Sequence, residues 1–192
     1  MARLVMTVST TDLFDGIYKV RSRVESIYNL RRASTRSYHE RSTERDEVKD
    51  DLWLVDPERR RARRTKNGVS ESFDIPAGGV HDPLAMIYRF RALARRVGDE
   101  ATVTVMTTRG ALETTAVAER WEQFETAAGE IQALKVVQRP VEDPEVGRGG
   151  SLTMWLSSDA ARVPQRIDFD LPFGKLVAEL VESPSAPTGD GD

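Results

Sequence analysis

The residues of this chain best suited to chemistry are its two histidines, and one of them, His81, directly precedes an aspartate. A carboxylate beside an imidazole could orient the ring as a general base. The same segment, HDPLAMIYRFR, also has the composition of a helix start. Asp82 is a good N-cap residue, and Pro83 suits the first helical position because its missing N–H would be unpaired there. We predict the structural role and keep a His81–Asp82 catalytic pair as the alternative.

Other residue patterns do not predict a metal site or an active site. His39 and His81 are far apart in the sequence, and neither belongs to a ligand-spaced cluster. The acidic residues between positions 46 and 51 lack the glycine and the spacing of a calcium loop. The chain has no cysteine, no G-x-S-x-G motif and no phosphate-binding glycine loop. We therefore predict no metal, no cofactor and no enzymatic activity.

The basic segment PERRRARRTKNG is a candidate anion-binding site. In a strand, Arg59, Arg61 and Arg63 would point to one side, where they could bind phosphate-bearing lipids, glycans or an anionic envelope surface. Alternatively, the charges protect a sheet edge and pair with the acidic segment ERDEVKDD on a neighbouring strand. The net charge of −3 argues against nucleic acid as a partner.

The segment MWLSSDAARVP combines an aromatic residue with a turn. We expect Trp155 to lie in the core or to line the concave face of a sheet. Asp159 favours a turn by accepting hydrogen bonds from nearby backbone N–H groups, and Arg162 could pair with it before Pro164. A catalytic role is the alternative, although no histidine is near in the sequence.

The elements that must position these residues are mostly strands. The segment IYKVRSRVESIYNL alternates with a period of two, which places Tyr18, Val20 and Tyr28 on one semi-apolar face and charged residues on the other. Further β-branched segments follow, separated by turn signals at Asp56-Pro57 and Asn67-Gly68 and by glycines. The pattern predicts a mainly β fold: a curved antiparallel sheet or open β-barrel, with one short helix over residues 82–96 packed on it.

Length and tail composition suggest a single β-rich domain over residues 1–182. Residues 183–192 are small, polar and rich in proline and glycine, so we predict a disordered tail. The chain has no apolar run long enough for a transmembrane helix. The first residues, MARLVMTVSTT, read as a strand and lack the apolar core of a signal peptide.

These motifs together resemble the domain-of-unknown-function 3108 family. The residues that carry the resemblance are Asp82, Pro83, Leu84, Tyr88, Arg91, Ala128, Gly129, Trp155, Leu156, Ser157, Asp159, Arg162, Pro164, Gly174, Ala178 and Leu180. The resemblance covers roughly residues 4–182 and implies a bacterial exported protein with a β-rich fold, located in the periplasm or cell envelope. It implies no established activity. Relative to the family, we expect a signal peptide and an initial strand to be missing from this chain.

Two hypotheses for the function follow. The first is a non-enzymatic envelope protein that binds a lipid-like or other hydrophobic ligand on a concave face, through Tyr18, Val20, Tyr28, Tyr88 and Trp155. The second is an interaction or assembly module that acts through the basic segment and exposed sheet edges. An envelope hydrolase is a third and weaker alternative, because the sequence does not assemble a polar constellation for it.

Overall fold

The computed structural model describes residues 1–9, 19–44, 47–107, 110–126, 129–139, 142–143, 147–148, 151–171 and 174–180. The described chain is mainly β, with antiparallel sheets and one short helix, so the predicted fold class is confirmed. Its strands form two six-stranded sheets and a two-stranded ribbon rather than one continuous sheet. Tyr18 and the predicted tail lie outside the described residues.

The first sheet is an antiparallel meander in which each strand pairs with the next one in the sequence. Its strands are β1 (Ala2–Ser9), β2 (Val20–Asn29), β3 (Ser34–Glu44), β4 (Glu47–Asp56), β5 (Arg61–Lys66) and β6 (Val69–Asp74). Helix α1 (Pro83–Leu93) follows this sheet.

The second sheet has the strand order β14-β13-β12-β9-β8-β7, and the ribbon β10-β11 lies between β9 and β12 in the sequence. These strands are β7 (Glu100–Thr107), β8 (Gly110–Thr126), β9 (Gly129–Gln138), β10 (Glu142–Asp143), β11 (Gly147–Arg148), β12 (Ser151–Ser157), β13 (Pro164–Leu171) and β14 (Gly174–Glu179).

The chain divides into two compact units. The first comprises Met1–Arg89 and Thr102–Thr114, and the second comprises Phe90–Ala101 and Thr115–Asp192. The hydrophobic cluster of the first unit contains Val24, Tyr38, Trp53, Val55, Ala62, Ile75, Val80, Leu84 and Met106. In the second unit the fully buried side chains include Phe90, Leu134, Val136, Met154 and Leu156. A single domain over residues 1–182 stays a prediction.

The hairpin between β5 and β6 forms at the predicted Asn67-Gly68 signal. Asn67 and Gly68 have φ angles of 48° and 85°, and the strand residues Lys66 and Val69 pair directly across the turn. Two consecutive left-handed residues match the right-handed twist of the flanking strands, which is why Asn-Gly is favoured at such a turn.

The basic segment folds differently from its prediction. Arg59 lies in the turn at residues 57–60, so it cannot share a strand face with Arg61 and Arg63. Strand β5 is also internal, between β4 and β6, so its charges do not protect a sheet edge. The reason is that Asp56 initiates a turn: its carboxylate accepts hydrogen bonds from the backbone N–H groups of Glu58 and Arg59.

The helix begins as predicted but ends at Leu93, three residues before the predicted end at residue 96. Its last backbone bond runs from Ala94 N to Phe90 O. The next two N–H groups, of Arg95 and Arg96, donate instead to Asp99 Oδ2 at 2.9 and 2.8 Å. Because one carboxylate takes both donors, the chain leaves the helical path there.

Candidate functional site

One face of the first sheet combines apolar, aromatic and charged side chains, and we call it the core face. It is the face on which Val24, Tyr38, Trp53 and Val55 are buried. Alternate residues of a strand point to the same side, so the register of the sheet assigns the remaining members of this face. They form an apolar strip, an aromatic centre and a charged end.

The apolar strip lies on β1 and β2 and consists of Leu4, Met6, Val8 and Val20. Met6 pairs with the buried Val24 across the two strands. The strip is not fully covered, since Met6 is 37% exposed and the other three are half-buried. A partly open apolar surface of this kind can accept the hydrocarbon portion of a ligand.

The aromatic centre lies on β3, β4 and β6. The Trp53 and Phe73 rings stack at a centroid distance of 5.4 Å. The Arg64 guanidinium lies 5.3 Å from the centroid of the Trp53 ring, within the range of a cation–π contact. Tyr38 is directly opposite Trp53 in the register. These contacts hold the indole of Trp53 in one orientation.

The charged end lies beyond the aromatic centre, toward the β3–β4 hairpin. We define it as Glu40, Ser42, Glu44, Glu47, Lys49, Asp51 and Arg64. Its most buried part is an ion pair, in which Arg64 donates to both carboxylate oxygens of Asp51, the shortest distance being 2.6 Å. Both side chains are only 6% exposed. A two-pronged contact of this kind compensates for much of the cost of burying the charges.

Glu40 receives the second set of contacts at the charged end. Lys49 Nζ lies 2.8 Å from one oxygen, and the Tyr38 hydroxyl donates to the other at 3.3 Å. Burial and the neighbouring carboxylates raise the pKa of Tyr38 above its ordinary value of 10. The phenol therefore stays protonated at neutral pH and acts as the donor.

A separate polar cluster surrounds Asp82 at the helix start. Asp82 Oδ1 accepts the backbone N–H groups of Leu84 and Ala85, both at 2.9 Å. Asp82 Oδ2 accepts the hydroxyls of Ser26 and Thr35 at 2.6 and 2.7 Å. Asp82 is fully buried, and both oxygens are used, so it caps the helix and ties it to β2 and β3.

His81 does not use Asp82 as a hydrogen-bond partner. Its Nδ1 lies 3.2 Å from the Thr104 carbonyl, and its Nε2 lies 3.3 Å from the Tyr28 hydroxyl. Burial lowers the pKa of His81 below its ordinary value of 6.5. With both ring nitrogens occupied by these contacts, the geometry gives no catalytic pair with Asp82. The other histidine, His39, is likewise engaged, 2.8 Å from Asp50.

The basic segment contributes a small pocket of about 300 Å³, lined by Arg59, Arg60, Asp74 and Ile75. Arg61 is exposed and faces Asp74 at 3.7 Å. Arg63 is also exposed on β5. The structure thus separates the three predicted arginines into one turn residue beside the pocket and two strand residues.

The MWLSSDAARVP segment forms a tight corner in the second unit. Asp159 Oδ1 accepts the Ser157 hydroxyl and the backbone N–H groups of Ala161 and Arg162. The Arg162 guanidinium does not pair with Asp159 as predicted; it donates to the carbonyls of Ser157, Ser158 and, at 3.0 Å, Arg95. Pro164 then starts β13. Asp159 and Arg162 therefore hold the corner through the backbone.

Trp155 lies on the half-buried face of β12, whereas Leu152, Met154 and Leu156 are buried on the other face. Its indole N–H donates to Glu122 at 2.7 Å, and the Arg166 guanidinium lies over its ring. The hydrogen bond from Trp155 lowers the pKa of Glu122. Trp155 is thus part of a charged surface rather than of the core, and the alternation in SLTMWLS was the signal for this.

The remaining sequence-predicted ligand residues are not brought together as a group. Val20 is in the apolar strip, Tyr28 is buried beside His81, and Tyr88 is half-exposed on α1. Sequence reasoning missed Met6, Trp53 and Arg64 as members of the core face. Their alternation within β1, β4 and β5 would have identified the face, but their pairing depends on hairpin register.

Within the described residues, no three histidine, aspartate or glutamate side chains are arranged to hold a metal ion. The 11-residue helix, the longest in that part of the chain, is too short to cross a bilayer.

The fold and these clusters define a mainly β protein with an amphiphilic sheet face. Residues 2–181 match the family model described as protein of unknown function (DUF3108), and the chain belongs to that family. A similar fold occurs in the crystal structure of a β-barrel-like protein of domain of unknown function DUF1849 from Brucella abortus. The TM-score is 0.59 at 9% identity, over 86% of this chain and 73% of that one. No curated protein matches the chain.

Proposed function

We propose that the protein is a non-enzymatic ligand-binding protein of the bacterial envelope, and that it binds a lipid-like molecule on the core face of the first sheet. The observation that carries the proposal is the apolar strip, which remains partly open to solvent next to an aromatic centre and a charged end. A small-molecule site is usually lined by apolar side chains and by a few polar groups in fixed positions.

The non-enzymatic part of the proposal is supported by the state of the candidate catalytic groups. Both carboxylate oxygens of Asp82 and both ring nitrogens of His81 have structural contacts. The envelope location is supported by family resemblance alone.

Mutation of adjacent residues on β1 tests the lipid-binding proposal. Met6 and Val5 have similar exposures, 37% and 44%, but they point to opposite faces of the strand. Met6→Glu should abolish co-purification of lipid from the native host, because it places a charge in the apolar strip. The matched control Val5→Glu should retain the lipid. Mass spectrometry of extracted lipid is the readout, and a wild-type protein that purifies without lipid would contradict the proposal.

A second candidate function is attachment to an anionic envelope surface through the basic segment. The pocket beside Arg59 and the exposure of Arg61 and Arg63 favour it. Reversal of all three charges to glutamate should abolish sedimentation with phosphatidylglycerol vesicles at low salt. Undiminished sedimentation of this variant would rule out the basic segment as the binding surface.

A further inference from the structure

The charged end of the core face carries more carboxylate side chains than basic side chains. Glu40 is directly opposite Asp51 in the β3–β4 register, and Glu44 is directly opposite Glu47. Like charges at directly opposed positions of an antiparallel pair are destabilising. The cations Lys49 and Arg64 each contact one of the inner carboxylates, Glu40 and Asp51.

Neither of these two cations contacts Glu47, the carboxylate at the hairpin end of β4. The outer carboxylates, Glu44 and Glu47, are both exposed at the ends of their strands. On the adjoining strands, Lys66 and Glu71 add one charge of each sign to this part of the face. The carboxylates of Glu40, Asp51 and Glu47 outnumber the two cations Lys49 and Arg64, and the resulting local potential favours a positive ligand group.

Ser42 provides the second, independent observation. It lies on the core face between Glu40 and Glu44 and is directly opposite Lys49. It is only 4% exposed, and among the described residues its hydroxyl has no hydrogen-bond partner. A buried hydroxyl without a partner is destabilising, so each such group in a native protein calls for an explanation, such as a bound water, ion or ligand.

We propose that the charged end binds the ammonium group of an amine-bearing amphiphile whose hydrocarbon chain lies along the apolar strip. The inference rests on the proposed function and specifies its ligand class. A primary ammonium is a compact cation with three N–H donors. The Ser42 oxygen can accept one of them, and the carboxylates around it can accept the others in charge-assisted hydrogen bonds.

Three probes with the same hydrocarbon chain and different head groups test the proposal. Dodecylammonium, dodecanoate and dodecyl maltoside are titrated below their critical micelle concentrations by calorimetry. Dodecylammonium should bind at least about tenfold more tightly than the other two, which corresponds to one hydrogen bond to a charged group. Equal affinity for all three would overturn the head-group inference and leave the lipid-binding proposal standing. No binding of any probe would overturn both.

Variants separate the site from the general charge of the protein. Glu47→Gln and Ser42→Ala should each remove most of the preference for dodecylammonium while the affinity for dodecyl maltoside is unchanged. The matched control is Glu25→Gln, which removes a carboxylate from the opposite face of the sheet, where Glu25 pairs with Arg3. Loss of the preference in Glu25→Gln, or its survival in both site variants, would overturn the inference. Circular dichroism verifies that each variant is folded.

Discussion

Two polar clusters on the first sheet differ in how completely their hydrogen bonds are satisfied. At the helix start, Asp82 distributes four hydrogen bonds over two oxygens, and each of its partners lies in the same unit. At the charged end, the carboxylates oppose each other and the buried Ser42 hydroxyl has no partner in the described chain. A satisfied network specifies a fold, whereas a buried polar group without a partner calls for a further explanation, for which we propose a bound ligand.

The difference also shows which family motif is structural. The DPL segment is the most conspicuous pattern in the sequence, yet its aspartate is fully used by the helix cap and by Ser26 and Thr35. The charged end, by contrast, lies in a polar stretch that has no recognisable motif. The presence of a motif therefore does not identify a ligand site here. The useful criterion is whether the buried polar groups of a cluster have hydrogen-bond partners.

The largest expected effect is the loss of the helix-start cluster. Asp82→Ala should lower the free energy of unfolding by about 3–5 kcal/mol, because it removes the cap and leaves two buried hydroxyls without an acceptor. Chemical denaturation measures the change. Asp82→Asn is the control: its amide oxygen can still cap the helix, so its loss should be smaller. Equal and small losses in both variants would mean that the cluster is not a structural network.

Protonation of His81 should destabilise the fold at mildly acidic pH, in the same region of the molecule. Burial holds the pKa of folded His81 below 6.5, so the unfolded chain takes up the proton first as the pH falls. The contribution of His81 to stability is therefore complete above pH 6.5 and declines below it, by at most about 1.4 kcal/mol per pH unit for one proton. The groups that face the ring are Tyr28, Asp82 and Arg89.

Denaturation at a series of pH values from 7.5 to 5 measures this decline. The His81→Gln variant should show a shallower dependence than the wild type over that range, because it lacks the titrating ring. The remaining titratable groups are the same in both proteins, so their contributions cancel in the comparison. Identical pH dependences would contradict a buried, neutral His81.

The local part of the fold could be predicted from sequence patterns. Alternation predicted β2, Asn67-Gly68 predicted the hairpin between β5 and β6, and Asp82-Pro83 predicted the start of the helix. Each of these signals depends only on neighbouring residues. The helix end was missed because Asp99, beyond the apolar pattern, binds the backbone N–H groups of Arg95 and Arg96.

The candidate site could not be predicted to the same extent, because its members meet only through register. Ser26 and Thr35 are 56 and 47 residues from Asp82, and nothing in their local sequence indicates this contact. Likewise, Arg64 points inward to Asp51, although it lies in the same run of arginines as the exposed Arg61 and Arg63. A shift of one residue in either hairpin would have reversed these faces.

The measurement that tests the central claim most directly is a paired determination of stability and affinity for Ser42→Ala. If the hydroxyl is kept for a ligand, its removal should leave the free energy of unfolding unchanged or raise it slightly, since an unpartnered buried polar group disappears. The affinity for dodecylammonium should fall in the same variant. A marked loss of stability with unchanged affinity would contradict the account, because Ser42 would then belong to the same structural category as Asp82.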